Sequence, residues 1–534
     1  MSKRPSIACR VRLVPVLLAL SLASVTGCSN SRSGQTSDDP LADMRSTACT
    51  PEERVQAVYR AWAAAQAGEL DIGAVREQFK TSLFLLSSTD AVRLRIVEAL
   101  LTDGRPEGVA DTRSVLRLRL PRETSWPIIQ RVADESVKNN WTDMTPALVR
   151  SYSRKVSDPP DAERPERAAL LALNPGKSIE EIVYDVFVTN RDLGPDASDS
   201  TKYLAEKART DAWDLLGRLD PDGSKRASLL AGDARVSTAP ESASPAPGKA
   251  SPDTMLSDLR AAARDLRAVP ITGQELEWVR VLRSPGNTLN ETWWKEATAA
   301  IGKLSDEQAL GLEVRHAEAV RWAATHHPEW LAMSRSALSE ELRQRLRGRT
   351  YHTRSIENGD FGTATPETID YWDAKLVWGD FLTMLVIDEA LKDPAVISAL
   401  LDQADKDRGN TRTEQGGALE AAIAAGGGAS ESLAARFEAR DYPPQVGSRS
   451  NDNKYVATER MIAGTPRCLA HYHFHAQKEK NLDYAGPSDG DLDYADTYAR
   501  NCLVLTSVGR GVLGVDYYQR RRVRIDLGEV RIGK

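Results

Sequence analysis

Three of the seven histidines fall in one five-residue window, His471-Tyr472-His473-Phe474-His475. On a strand, residues two apart share a face, so all three imidazoles would point the same way. Buried imidazoles need hydrogen-bond partners. Two of them on one face also offer a pair of nitrogens to a single metal ion. The plainer reading of the window is a satisfied polar strand face. Downstream, Ser488 and Asp491 stand three apart in Ser488-Asp489-Gly490-Asp491-Leu492. That spacing puts a hydroxyl and a carboxylate at a helix start, and it is equally a capping box. Asp489, Asp491 and Asp493 alternate as in a calcium loop, but the rest of that spacing, with its terminal Glu, does not follow. Upstream, Glu414 comes just before Gly416-Gly417 and a short apolar run, which reads as an acid at a strand mouth or as a simple turn.

The elements that would position these groups are strands. Apolar runs at 418–419, 469–475, 503–506, 512–517 and 523–527 carry the strand signal, and 523–527 alternates as a half-buried strand should. A helix is expected over 489–500. Two more are expected over 381–391 and 394–404, the second opened by Asp393-Pro394 as N-cap and first helical residue. Residues 371–534 therefore read as an α/β or α+β domain.

In this order the three pieces resemble the JAMM (MPN-type) metallopeptidase pattern. That pattern has a Glu in a Glu-x-Gly strand, then His-x-His ending a strand, then Ser-x-x-Asp opening a helix. The gap of roughly sixty residues from Glu414 to the histidines also agrees. The resemblance covers only the last 130–160 residues or so. It implies a cytidine-deaminase-like layered fold and a zinc ion held by His473, His475 and Asp491. It makes Glu414 the general base, Ser488 a helper at the developing oxyanion, and a peptide or protein the substrate. Where the family usually has Pro after its second His, this chain has Ala476, and 477–485 reads as an inserted loop. The residues alone leave His471 with His473 as a rival ligand pair; the family's strand-ending pair favours His473 with His475, and His471 then stands behind them.

The rest of the chain is helical in texture. Thr50-Pro51-Glu52-Glu53 and Ser178-Ile179-Glu180-Glu181 are capping boxes. Amphipathic stretches lie at 90–101, 126–138, 165–173 and 203–218. In the first helix Val55, Val58, Tyr59 and Trp62 are expected on one face. No fixed repeat period is present, so the expected body is an irregular or solenoid-like all-α domain over 48–235, with a second helical region over 253–370. Residues 236–252 are Pro/Ala/Ser-rich and read as a linker. Trp278, Trp293, Trp294, Trp322 and Trp330 are expected as core anchors.

Residues 1–28 do not belong to this body. A basic start, a short apolar run and Val25-Thr26-Gly27-Cys28 resemble the lipobox of a bacterial lipoprotein, cut and lipidated at Cys28. Residues 29–47 then read as a flexible tether. The implied place is the cell envelope, lipid-anchored at an outer membrane and facing the periplasm or the surface, with the membrane as partner through the lipid. Cys468 and Cys502 lie on or beside strands and are expected either as a disulfide or as two buried thiols. Composition is ordinarily globular, 41% hydrophobic and 27% charged. The net charge of −6 gives no footprint for nucleic acid. No P-loop, dinucleotide fingerprint, nucleophile elbow or Cys-x-x-Cys pair is present. The sequence thus predicts a tethered zinc peptidase or isopeptidase; the alternative is an inactive JAMM-like scaffold or binding lipoprotein.

Overall fold

The structure is a computed structural model that describes residues 37–156, 159–189, 199–233, 254–352, 354, 365–421, 437–445, 447, 451 and 454–532. Cys28, the expected signal segment, the start of the tether and the 236–252 linker lie outside the described residues. Among the described residues, no helix is long and apolar enough to cross a membrane.

The chain forms two compact units, one ending at Val115 and the other beginning at Leu116. The expected 48–235 domain therefore divides at residue 115. The described residues of the first unit form helices and no strand. The first of these helices lies inside the expected tether, where Asp39 caps Pro40–Arg45 by accepting from Leu41 and Ala42. Asp43 in that helix is buried against Arg60 at 2.6 Å. The next helix, Pro51–Ala67, has the expected capping box at Thr50 and stops at Gly68 in the left-handed conformation. Val58 and Trp62 are buried as expected, but Tyr59 is 42% exposed and lies under the Arg95 guanidinium instead.

The second unit carries the site. Its helices pack on a mixed six-stranded sheet, β1 Gly416–Ala421, β2 Phe437–Asp441, β3 Ala470–His475, β4 Cys502–Gly509, β5 Val512–Gln519 and β6 Val523–Arg531. The order is β2-β1-β3-β4-β5-β6. Only β3 and β4 are parallel. The helices nearest the site are α1 Trp378–Ala390, α2 Pro394–Arg408, α3 Glu459–Gly464 and α4 Asp489–Tyr498. α4 is the connection between the parallel pair, as a parallel pairing requires a crossover.

Strand alternation sorts the side chains onto two faces. Tyr472, Phe474, Leu503, Leu505, Val515, Tyr517, Ile525 and Leu527 join α1 and the helices from Ala262 onward in one apolar cluster. The expected break near 370 falls inside this core. Trp278, Trp293, Trp322 and Trp330 are buried in it, and Trp294 packs at its edge, as anchors. The other face carries His471, His473 and His475, with Cys502, Val504 and Tyr518 packed on Leu492 and Ala495 of α4. Arg524 and Asp526 of β6 are buried as well, so that strand is covered on both sides. Cys468 and Cys502 are buried free thiols.

One buried guanidinium joins three parts of this unit. Arg315 donates to Glu313 at 2.7 Å and to Asp380 of α1 at 2.6 Å. It also reaches Asn501 at 2.8 Å and the Tyr517 hydroxyl of β5 at 2.9 Å. Removing one partner of a buried ion pair strands the others without water. Arg315→Met should therefore cost about 3–5 kcal/mol, read from chemical denaturation by tryptophan fluorescence, whereas Arg315→Met with Asp380→Asn should recover part of that loss.

Candidate metal centre

The site is assembled from three segments around the end of β3. Asp407 near the end of α2 ties two of them together. Its carboxylate accepts from the Gln415 backbone at 2.5 Å and from the Ala476 backbone at 3.2 Å. This fixes the approach to β1 beside the end of β3, and so sets Glu414 beside His475. Gly416 is glycine for a steric reason: a Cβ there would lie 2.6 Å from the Tyr472 carbonyl oxygen and 2.8 Å from the Tyr455 ring. The Tyr455 ring in turn stacks on His473, 6.2 Å between centroids and 11° between planes.

His473 and His475 point to one spot. Their Nε2 atoms are 3.3 Å apart, and both residues are 4% exposed. Glu414, His473 and His475 offer one ligand atom each, all within 4.8 Å of one another, so this buried group could hold a metal ion. Asp491 completes the cluster, with Oδ1 3.2 Å from His473 Nε2 and Oδ2 3.8 Å from His475 Nε2. Glu414 Oε1 is 3.9 Å from His475 Nε2. The spacing suits an ion. Two nitrogens bound to one tetrahedral centre at ~2.0–2.1 Å stand about 3.3–3.4 Å apart.

The hydrogen bonds behind the imidazoles leave His475 ready to ligate. Its Nδ1–H donates to the Tyr484 carbonyl at 2.6 Å, which leaves Nε2 as a lone pair facing the cluster. Burial, then the neighbouring His473, push His475 down to about 4. Burial also opposes a charge on His473, but Asp491 and Glu414 outweigh it and push that ring up to about 9. Burial raises the Glu414 carboxyl well above its usual range, with Asp491 and Asp407 adding to the effect. Asp491 stays ionised, since His473 and the Ser488 hydroxyl outweigh its burial.

Ser488 and Asp491 form the capping box of α4 and also reach the site, so the two readings of this spacing coincide. The Ser488 hydroxyl donates to Asp491 Oδ2 at 2.8 Å, and the Ser488 backbone N–H donates to the same oxygen at 2.7 Å. Its proton is thus spent on orienting Asp491. His471 does not join the pair. Its Nε2 meets Thr465 at 2.8 Å and its Nδ1 meets the Tyr494 hydroxyl at 2.9 Å. Of the two pairings open to the sequence, the structure brings His473 and His475 together. Asp489 and Asp493 belong to no calcium loop; both bind Arg522, at 2.6 and 2.7 Å. That arginine sits at the β5–β6 hairpin tip.

Three contributors escaped the sequence. Gln477, in the expected inserted loop, donates to Glu414 at 2.9 Å. Asp407 and Tyr494 are ordinary helix residues in sequence, and no spacing marks them. A cavity of about 940 Å³ opens over the cluster, lined by Glu414, the three histidines, Asp491 and the tyrosines 455, 484, 494, 498 and 518. The chain matches no protein-family model, no curated protein and no solved structure, so the chemistry of this centre is carried by its own geometry.

Proposed function

We propose that this chain is a zinc-dependent peptidase or isopeptidase of JAMM type, held at the cell envelope by a lipid on Cys28. The observation that carries this reading is the 3.3 Å approach of two buried imidazole nitrogens between two carboxylates. Two imidazoles and a carboxylate are a donor set suited to zinc, and poorly suited to magnesium or calcium. A zinc ion bound here would act as a Lewis acid and lower the pKa of a water towards ~7.

The chain's own groups supply the rest. His473, His475 and Asp491 would hold the ion, with Tyr484 and Ser488 orienting His475 and Asp491. Glu414 would take the proton of the attacking water and pass it to the leaving nitrogen. Its burial raises its proton affinity, which suits a group that must accept a proton and then give it up. Gln477 holds that carboxylate in place. Ser488 would stabilise an oxyanion only after releasing Asp491, so its orienting role comes first. The helical parts of the chain would present or select the peptide.

Protein lacking residues 1–36 should bind about one zinc per chain by metal analysis, and His475→Ala should lose it. His471→Asn should keep it. Glu414→Gln should also keep the metal while peptide turnover falls by about 10²–10⁴. Zinc lost from Glu414→Gln but retained by Asp491→Asn would exchange the roles of the two acids.

Zinc uptake should also be linked to protons. His473 is protonated below about 9 in the ion-free chain and must lose that proton to ligate. Titration calorimetry in buffers of different ionisation enthalpy should show at least one proton released per ion near neutral pH. That number should fall as the pH rises through about 9.

A further inference from the structure

The first unit carries an exposed apolar turn that its own core does not use. Residues 81–89, Thr-Ser-Leu-Phe-Leu-Leu-Ser-Ser-Thr, hold no charged side chain in a chain that is 27% charged. They join the helix Ile72–Phe84 to the helix Asp90–Leu101. Leu83 is buried and roots the turn, but Phe84, Leu85 and Leu86 are exposed, Leu86 fully so. Single exposed leucines are ordinary, whereas three consecutive large apolar side chains held out at a turn call for a partner. The backbone of the turn is satisfied from within. The Leu85 carbonyl accepts from the Ser88 N–H at 3.2 Å. Arg54 donates to the Ser87 carbonyl at 3.1 Å, and Arg93 to the Ser88 carbonyl at 2.6 Å. These carbonyls need no water, which is the condition for a peptide segment at an apolar surface.

The turn also lies where the chain arrives from Cys28. Ser37, the first described residue, is pinned to this unit: its N–H donates to Asp43 at 2.9 Å and its carbonyl accepts from Arg60 at 3.3 Å. It leads into the helix Pro40–Arg45, whose end sits beside the turn. The Arg54 guanidinium that holds Ser87 donates from Nε to the Met44 carbonyl at 2.9 Å. Cys28 precedes Ser37 by nine residues. A lipid on Cys28 would therefore lie at most ~30 Å from Ser37. We propose that Phe84, Leu85 and Leu86 form a tip that enters the lipid interface in which Cys28 is anchored. A bilayer interface takes up apolar side chains to a depth of about 5–10 Å. The acyl chains supply attachment, and the tip, as a second point of contact, sets how the first unit is turned towards the membrane. The inference rests on the lipid-anchor part of the proposed function and makes no use of the metal centre.

The test uses the chain as matured in cells, reconstituted in phosphatidylcholine–phosphatidylglycerol vesicles with and without doxyl-labelled lipid. Leu86→Cys carries an NBD fluorophore, while Cys49, Cys468 and Cys502 are buried. Leu310→Cys, exposed in the second unit, is the reference. Doxyl lipid should quench the probe at 86 about twofold more than the probe at 310, and adding Leu85→Asp should remove the difference. Mass spectrometry of the same chain reads the lipid on Cys28 separately. Lipid on Cys28 with equal quenching at 86 and 310 would overturn the tip and leave the anchor. A blue-shifted probe that needs no vesicles and grows with chain concentration would assign the turn to a second copy of this chain and overturn the proposal. Quenching at 86 in a chain without the lipid would sink the anchor and keep the tip; neither lipid nor quenching would sink both.

Discussion

Two imidazole nitrogens 3.3 Å apart in a buried pocket set the terms for everything around them. Left to themselves they cannot both be protonated, and two bare lone pairs at that distance repel. The surrounding carboxylates settle the matter in the ion-free chain by placing the charge on His473 and leaving His475 bare. That arrangement is a stand-in for a cation at the same spot. A divalent ion would satisfy both nitrogens and both acids at once, in a medium where each unpaired charge is costly. A cluster of this kind is retained in an interior only if its partners are held as firmly as it is.

The holding is done by backbone and by groups outside the cluster. Tyr484 gives its carbonyl to His475, and the next residues are clamped. Arg354 donates to the Ala485 carbonyl at 3.0 Å and the Pro487 carbonyl at 3.3 Å. Gly486 lies between them at φ +78°, where a Cβ would sit 2.8 Å from a Glu367 oxygen. This segment leads directly into Ser488 and Asp491. The long gap between the histidines and the Ser-x-x-Asp motif is therefore a structured bridge, fixed at one end by an imidazole and at the other by a helix cap. Asp407 does the same for the Glu414 side by holding two backbones together. The ligand atoms thus depend on hydrogen bonds made largely by main chain, which side-chain substitutions elsewhere would disturb little.

The parts of this fold that could be read from sequence are those with periodicity. β3 to β6 and α4 follow apolar alternation and a capping box, and each appears close to its expected span. β2 was silent because Phe437-Glu-Ala-Arg-Asp441 is an edge strand with Glu438 and Arg440 exposed, and its signal is weak over five residues. α1 starts earlier than expected because the Asp380 side chain returns to the Val377 backbone, a cap with no Ser or Thr at its head. The helix inside the expected tether was missed although Asp39-Pro40 carries a cap and a first-turn proline; composition outweighed two local residues. The histidine pair and Asp491 were legible because their spacing is local. Asp407, Gln477 and Tyr494 act through tertiary contacts that no local pattern encodes.

The three histidines on one strand face show why spacing alone could not assign roles. All three are buried and all point the same way, yet only two bring their Nε2 atoms together. What separates them is the partner on the far side of each ring. His475 has a carbonyl, which holds a proton on its Nδ1 and turns Nε2 towards His473. His473 has two carboxylates before it and the Tyr518 hydroxyl at a distant 3.5 Å behind it. His471 has a hydroxyl on each nitrogen and, among the described residues, no carboxylate bonded to its ring. A metal at His471 would have to break two buried hydrogen bonds. The same two bonds that engage the His471 nitrogens tie β3 to α4 through Tyr494.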